Sequence, residues 1–337
     1  MEQLLKTITA YSESPEFKKA LDIPAEAPVT FVPLAQGEYH RNFVFAHPIT
    51  EKKYVLRVNY GSQMHLDNQI GYEYKALDML KFSGRTPVPV FVDNSGAVDG
   101  HGILVMAFIE GRPLDYERDL FRAAACLADV HSTPISSPES LIEIGNPIKG
   151  ILEECEQMFA VYKQSAVADP RKVAMIEELM GLAYQKADEM KALDYQNVCI
   201  NTELNNHNFL VNEKTGFVSL IDWEKPLWGD PAQDLGHMLA PTTSFWRTDI
   251  ILKEETVEAF VRDYRSFVDD RIRLGNLEER VKVFLPVTCL RGITWCAMAY
   301  VEYMTPGRAI ANPDTLAKLK AYQTESFLQD IKAYLLK

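Results

Sequence analysis

The chain has 337 residues, 47% of them hydrophobic and 24% charged, which is room for two domain-sized units and a composition that excludes long disordered stretches. Its 35 Lys plus Arg against 47 Asp plus Glu leave a net charge of -12, so phosphate backbones are repelled and no nucleic-acid partner is expected. Five cysteines without C-x-x-C spacing fit reduced thiols in a cytoplasmic protein, and neither a signal-peptide core nor the roughly 18 apolar residues of a membrane span is found.

Residues 1 to about 27 read as a short helical extension, broken at Pro15 and Pro24. From Val29 to about Ile109, the runs VTFVPL, NFVFAH, KKYVLRV, VPVFVD and GILVMAFI predict strands separated by turn signals. One helix interrupts them, because LDNQIGYEYKALDMLKF places Ile70, Tyr74, Leu77 and Leu80 at helical spacing. The expected order is therefore β-β-β-α-β-β. After Gly111 helical patterns take over, at about 117–131, 149–163 and 170–193, with more toward the C-terminus. Between Val198 and Trp223 lie two short strands, FLVN and FVSLIDW, joined by an Asn-Glu-Lys-Thr-Gly turn. The change of character sets a boundary between 1–110 and 111–337.

The chemistry concentrates in residues 198–239. Glu203, Asn205, Asn206, His207 and Asn208 form a polar loop ahead of an apolar strand, and Asp222 follows the apolar Val218, Leu220 and Ile221. A hairpin here brings Asn208 and Asp222 together, giving two hard oxygen donors of the kind Mg²⁺ selects. Phosphoryl transfer also needs a carboxylate to orient the acceptor hydroxyl, and Glu203 sits five positions before Asn208 in the same loop. Read one at a time, Glu203 is a solvated loop charge and Asp222 a turn cap; only the strand context joins them.

These residues resemble the aminoglycoside phosphotransferase and choline kinase superfamily, a branch of the protein-kinase-like fold. Its catalytic loop reads roughly H-G-D-x-x-x-x-N, followed by I-D-W-E and G-D-P-x-x-D-L. This chain has N-T-E-L-N-N-H-N at 201–208, I-D-W-E at 221–224 and G-D-P-A-Q-D-L at 229–235. In the first half, Q-G-E-Y-H-R-N at 36–42 is similar to the family's nucleotide loop, with Gly37 in it, and Y-V-L-R-V at 54–58 to the strand carrying the phosphate-contacting base, here Arg57. Y-E-Y-K-A-L at 72–77 resembles the helix whose glutamate, Glu73, pairs with that base, and F-I-E-G-R-P-L at 108–114 the hinge, where backbone near Ala107 and Ile109 would hold adenine. L-A-D-V-H-S-T-P at 127–134 resembles the L-H-x-x-P helix end. The resemblance covers about residues 29–240.

It implies an α+β fold of two lobes, with a small antiparallel N-terminal sheet carrying one main helix and a larger helical C-terminal lobe. It further implies an ATP- and Mg²⁺-dependent transfer of the γ-phosphate to a hydroxyl of a small-molecule acceptor. Asn208 and Asp222 would hold the metal and Glu203 would act as the catalytic group. Three positions depart from the pattern. The catalytic Asp is Glu203, one methylene longer, and misplacement of that order can cost about a hundredfold in rate. The loop His is Asn201, which removes a usual brace, and the strand Lys is Arg57, which offers a planar fork in place of a point charge. The alternative reading is therefore a catalytically impaired nucleotide-binding or regulatory protein.

Asp234 and Asp230 read as structural, Asp234 holding the catalytic loop and lying where its carboxylate could serve backbone N–H groups at a helix start. His131 reads as packed, and His207 as a loop residue. SFW at 244–246 and TWCAMAYVEYM at 294–304 read first as helix core; as pocket lining beside Glu302 they would suit a cationic or amino-sugar acceptor.

Overall fold

The computed structural model describes residues 2–37, 39–190, 194–305 and 313–336. Glu38 of the expected nucleotide loop, and the last three residues of the helix expected over 170–193, lie outside them. Helices α1 (Glu2–Tyr11) and α2 (Pro15–Ala20) precede strands β1 (Val32–Gln36), β2 (His40–Ala46) and β3 (Lys53–Asn59). Helix α3 (Gln69–Leu80) follows, then β4 (Pro89–Val98) and β5 (His101–Ala107). The strands form one antiparallel sheet in the order β1-β2-β3-β5-β4, so the β-β-β-α-β-β order read from the sequence is the observed one.

Period-two alternation decides what each face of that sheet covers. Tyr54, Leu56 and Val58 of β3 point into a cluster with Leu4, Ile8 and Phe17 of the N-terminal helices. Val55, between them, joins Leu104 and Met106 of β5 and packs with Ile70, Leu77 and Leu80 of α3. The N-terminal segment is thus one wall of a core. Pro15 is also more than a break: it occupies the first turn of α2 behind the cap Ser14, where its missing N–H has no intrahelical partner to lose.

Past residue 111 come β6 (Arg112–Pro113), α4 (Leu120–His131), α5 (Pro147–Lys163) and α6 (Pro170–Glu189). Short strands follow: β7 (Val198–Ile200), β8 (Phe209–Val211), β9 (Val218–Leu220) and β10 (Leu227–Gly229). The rest is helical, with α7 (Pro231–Leu239), α8 (Pro241–Thr248), α9 (Glu254–Phe267), α10 (Leu277–Met304), α11 (Pro313–Ala321) and α12 (Glu325–Leu335). Strands β6, β8 and β9 form one small sheet, while β7 pairs with β10, a three-residue run too short to announce itself in sequence.

Helix α10 is apolar over most of its surface, as a helix largely buried in the fold must be. Contrary to the sequence reading, it is by length and composition apolar enough to cross a membrane, yet 72% of its most apolar window is buried inside the fold. It is the central core helix, packed on α5 and α7. Gly236 permits the α7 contact, since a Cβ there would lie 2.6 Å from the Phe284 Cβ.

Candidate active site

Strand β7 runs into the loop at 201–208, and that loop is held by one buried carboxylate. Asp234 Oδ2 accepts the Asn201 N–H and Oδ1 accepts the Thr202 N–H, both at 2.8 Å. His131 Nε2 lies 3.2 Å from the same Oδ2, while its Nδ1 lies 2.7 Å from the Tyr264 hydroxyl. These contacts hold Thr202 at φ 69°, in the left-handed region that a β-branched residue rarely enters. Asp234 therefore serves the loop's N–H groups, not those of its own helix; the cap of α7 is Asp230, which accepts the Ala232 N–H. Asp230 also takes both arms of the buried Arg280 guanidinium, at 2.7 and 3.1 Å.

The substitution of Asn201 for the family's His does not leave the loop unbraced. Its amide nitrogen donates to the Asp222 carbonyl at 2.9 Å, and its oxygen accepts the Glu203 N–H at 3.0 Å. A short planar amide thus spans the loop and the hairpin end, because it carries a donor and an acceptor at once.

The hairpin sets Asn208 beside Asp222. Phe209 pairs with Leu220, and the Ile221 N–H donates to the Asn208 carbonyl at 2.8 Å. Asn208 Nδ2 donates to the Glu203 carbonyl at 2.8 Å, and its Oδ1 takes no donor among the described residues. Asp222, at φ 63°, turns its carboxylate toward the sheet.

Arg57 reaches it from β3. Nη1 donates to Glu73 at 2.6 Å and to Asp222 at 3.1 Å, Nε donates to Asn42 at 3.1 Å, and Nη2 has no partner among the described residues. Burial opposes the charge of this guanidinium, which is 5% exposed, but Glu73, Asp222 and Glu224 outweigh it and raise its pKa. Burial likewise pushes the Glu73 carboxyl up, against the pull of Arg57.

Gly37 lies against the His40 ring, where a Cβ would come within 2.8 Å of two ring atoms. His40 Nδ1 is 3.1 Å from Glu224 Oε2. Ligand atoms of His40, Asp222 and Glu224 all lie within 4.8 Å of one another, a possible metal triad by geometry. The block I-D-W-E already pointed to Glu224; nothing in the sequence singled out His40. Gln69 and Tyr72 of α3 fasten the same segment, donating to the Glu224 and Pro226 carbonyls.

At the junction after β5, the Ala107 N–H is used by Val88 and the Phe108 N–H by Lys53. The Ile109 amide makes no internal bond among the described residues, so of the two expected hinge positions its N–H is the one available to a base.

Glu203 faces a group of charges that the sequence reading did not assemble. Its Oε1 is 2.9 Å from Lys225 Nζ. Burial pushes the Glu203 carboxyl up, but Lys225, Arg291 and His237 together bring it below its ordinary value. Arg291 of α10 is itself forked onto Glu154 of α5, at 2.8 and 3.1 Å. His237 Nδ1 accepts the Leu204 N–H at 2.9 Å, and burial lowers its pKa to about 4 although Glu203 pulls the other way. Lys225 directly follows I-D-W-E and was open to notice; Glu154 and Arg291 sit in unremarkable helical patterns far apart in sequence.

His207 is exposed in the loop, its pKa lowered by burial and Arg247. Trp246 and Trp295 meet edge to face at 5.5 Å, and Trp246 also touches Tyr322, so those aromatics chiefly pack on one another. A cavity of about 400 Å³, lined among others by Lys149, Tyr184, Tyr195, Asp230 and Phe284, contains none of Glu203, Asn208 and Asp222. The cavity therefore lacks the carboxylate, amide and guanidinium groups that meet around Asp222.

The family model described as "Phosphotransferase enzyme family" matches residues 30–274. The chain belongs to this family. No curated protein matches the sequence significantly. Among solved structures, a Ralstonia eutropha JMP134 protein assigned to the aminoglycoside phosphotransferases superposes with a TM-score of 0.70 at 14% identity, covering 98% of each chain. Choline kinase from Cryptosporidium parvum Iowa II gives 0.66 at 14% identity, covering 98% of this chain and 96% of its own. Spectinomycin phosphotransferase, solved with ADP and spectinomycin, gives 0.61 at 14% identity, covering 92% and 93%. At such identities the likeness establishes the two-lobed kinase-like α+β fold of this phosphotransferase-family chain.

Proposed function

We propose that this phosphotransferase-family protein transfers the γ-phosphate of ATP to a hydroxyl of a small-molecule acceptor, with Mg²⁺ bound by Asn208 and Asp222. The observation that carries the reading is the convergence of Arg57, Asn208, Asp222 and Glu203 from three segments, β3, the 201–208 loop and the end of the hairpin, into one connected set of contacts. The donor set fits the metal: an amide oxygen without a protein donor beside a carboxylate is hard-oxygen chemistry. When bound, Mg²⁺ supplies positive charge against the phosphates.

In this reading residues 1–110 hold the nucleotide, with Gly37 in the phosphate loop, Ala107 and Ile109 at the base, and Arg57, braced by Glu73, offering its free Nη2 to phosphate. Residues 111–337 supply the catalytic loop and the acceptor pocket, in which Glu203 orients the hydroxyl and takes its proton. The acceptor surroundings hold Glu203 and Glu154 but also Lys225 and Arg291, so the paired charges do not single out a polycation. Five free buried thiols suit the reducing cytoplasm, and the acidic balance weighs against nucleic acid.

The second reading, a nucleotide-holding protein without efficient transfer, gains support from one contact: Lys225 already occupies the Glu203 carboxylate. Incubating the protein with Mg-ATP and a panel of hydroxyl-bearing metabolites decides between them. Turnover lost in Glu203→Ala supports transfer; a Mg-ATP thermal shift with no turnover above that variant supports the silent binder. Absence of any shift with Mg-ATP sinks both.

A further inference from the structure

We propose that Lys225 is the γ-phosphate-binding cation of this site, held on Glu203 until nucleotide arrives. The inference rests on the nucleotide reading above and adds to it a residue and a coupling.

The backbone around Lys225 is pinned, while its side chain is held at its polar end by one contact among the described residues. The Lys225 carbonyl accepts the Thr202 hydroxyl at 2.9 Å, the Glu224 carbonyl accepts Gln69, and the Pro226 carbonyl accepts Tyr72. These bonds fix the segment against the catalytic loop on one side and α3 on the other. Beyond Cα, the only polar contact of Lys225 among the described residues is the single bond from Nζ to Glu203. An ammonium on a four-carbon stem has three donors, so two remain unused.

The other cations nearby are committed. Arg57 uses Nη1 on Glu73 and Asp222 and Nε on Asn42, which leaves one nitrogen for a whole triphosphate. Arg291 has its fork on Glu154. Asn208, the expected metal ligand, donates to the Glu203 carbonyl, so the residue whose carboxylate holds Lys225 Nζ is tied through its backbone to the metal side of the site. Of these three cations, Lys225 is the one bonded to the acceptor carboxylate with two donors unused among the described residues.

One movement of Nζ then does two things. On Glu203 it blocks the carboxylate; on the γ-phosphate it neutralises the equatorial oxygens and frees that carboxylate for the acceptor. The transfer balances: the acceptor oxygen forms a bond to Pγ, the bond from Pγ to the bridging oxygen breaks with its electron pair leaving on ADP, and the hydroxyl proton passes to Glu203.

Binding of Mg-AMP-PNP and of Mg-ADP, measured by calorimetry, tests this without knowledge of the acceptor. Lys225→Met should weaken Mg-AMP-PNP about tenfold, the loss of one charge-assisted contact, and leave Mg-ADP within about twofold. Glu203→Gln should do the reverse and tighten Mg-AMP-PNP, because the ammonium is released from its carboxylate. Unchanged Mg-ADP affinity shows that each variant is folded. If both nucleotides weaken equally in Lys225→Met, or neither changes, Lys225 only props Glu203 and the proposal falls while nucleotide binding stands. If the wild-type protein binds neither nucleotide, the nucleotide reading fails and takes the proposal with it.

Discussion

The Arg57 guanidinium stands 3.1 Å from the Asp222 carboxylate, on the same nitrogen that donates to Glu73. A fixed positive charge at that distance competes with any cation for Asp222, and the competition is worth several-fold in affinity even in a well-screened cleft. Replacing Arg57 alone would strand the buried Glu73, so the informative variant is Arg57→Met with Glu73→Gln. Its nucleotide-free form should bind Mn²⁺ about tenfold more tightly than wild type, while its Mg-AMP-PNP affinity falls. Mn²⁺ titration followed by electron paramagnetic resonance reads the first effect. An unchanged Mn²⁺ affinity would show that Asp222 is not the metal-side carboxylate.

The Asp230–Arg280 pair, in contrast, lies away from the reacting groups and fastens α7 to α10. Both side chains are buried, with bonds of 2.7 and 3.1 Å between them. Removing one partner leaves an unpaired buried charge, and Arg280→Met should cost about 3–5 kcal/mol in urea denaturation. The double variant Arg280→Met with Asp230→Asn should be more stable than the single one, since no charge is stranded. Equal or greater loss in the double variant would mean that the pair acts chiefly through the α7 cap and not through its charges.

Much of this site was legible because its parts are local. Asn208 and Asp222 are joined by a hairpin whose turn and apolar strands are written in twelve consecutive residues, Phe209 to Leu220, and β-branched or aromatic runs between turn signals marked each strand of the sheet. Asn201 was misread for a physical reason: residue type announced a lost brace, while a planar amide supplied the brace in another way. The Glu203 surroundings were out of reach for the opposite reason. Glu154, Arg291 and His237 come from α5, α10 and α7, and helical periodicity says which face is apolar but not which distant charges meet. Likewise α10 is an ordinary apolar pattern in sequence, and only its neighbours make it a core helix.

The five cysteines should be inert in the native protein. All are buried and unpaired, and burial pushes the thiols of Cys126, Cys155 and Cys289 up to about 12. The thiolate is the reactive form, so the native chain should show almost no rapid reaction with a disulfide reagent at pH 8, and five thiols should appear on unfolding in denaturant. Rapid labelling of any one of them without denaturant would mean that the helix or strand carrying it opens locally.

His237 sets the acid limb of stability in a window of its own. Its folded pKa is about 4 against an ordinary 6.5, so the native imidazole stays neutral where the unfolded one takes a proton. The sign follows: there is no contribution above 6.5, and stability falls as pH drops from 6.5 toward 4, where the folded state also becomes protonated. Glu203 is lowered as well, so its contribution has the same sign, but it is lost only beneath the carboxyl's ordinary 4.5. Between pH 6.5 and 5 His237 should contribute a loss of about 2 kcal/mol, from about 1.4 kcal/mol per unit, and His207, also lowered, adds a share of the same sign. His237→Gln keeps an acceptor for the Leu204 N–H but cannot be protonated, so it should lose about 2 kcal/mol less than wild type over that window. Denaturant titrations of both proteins at pH 6.5 and 5 provide the comparison, and parallel losses would place the acid sensitivity elsewhere.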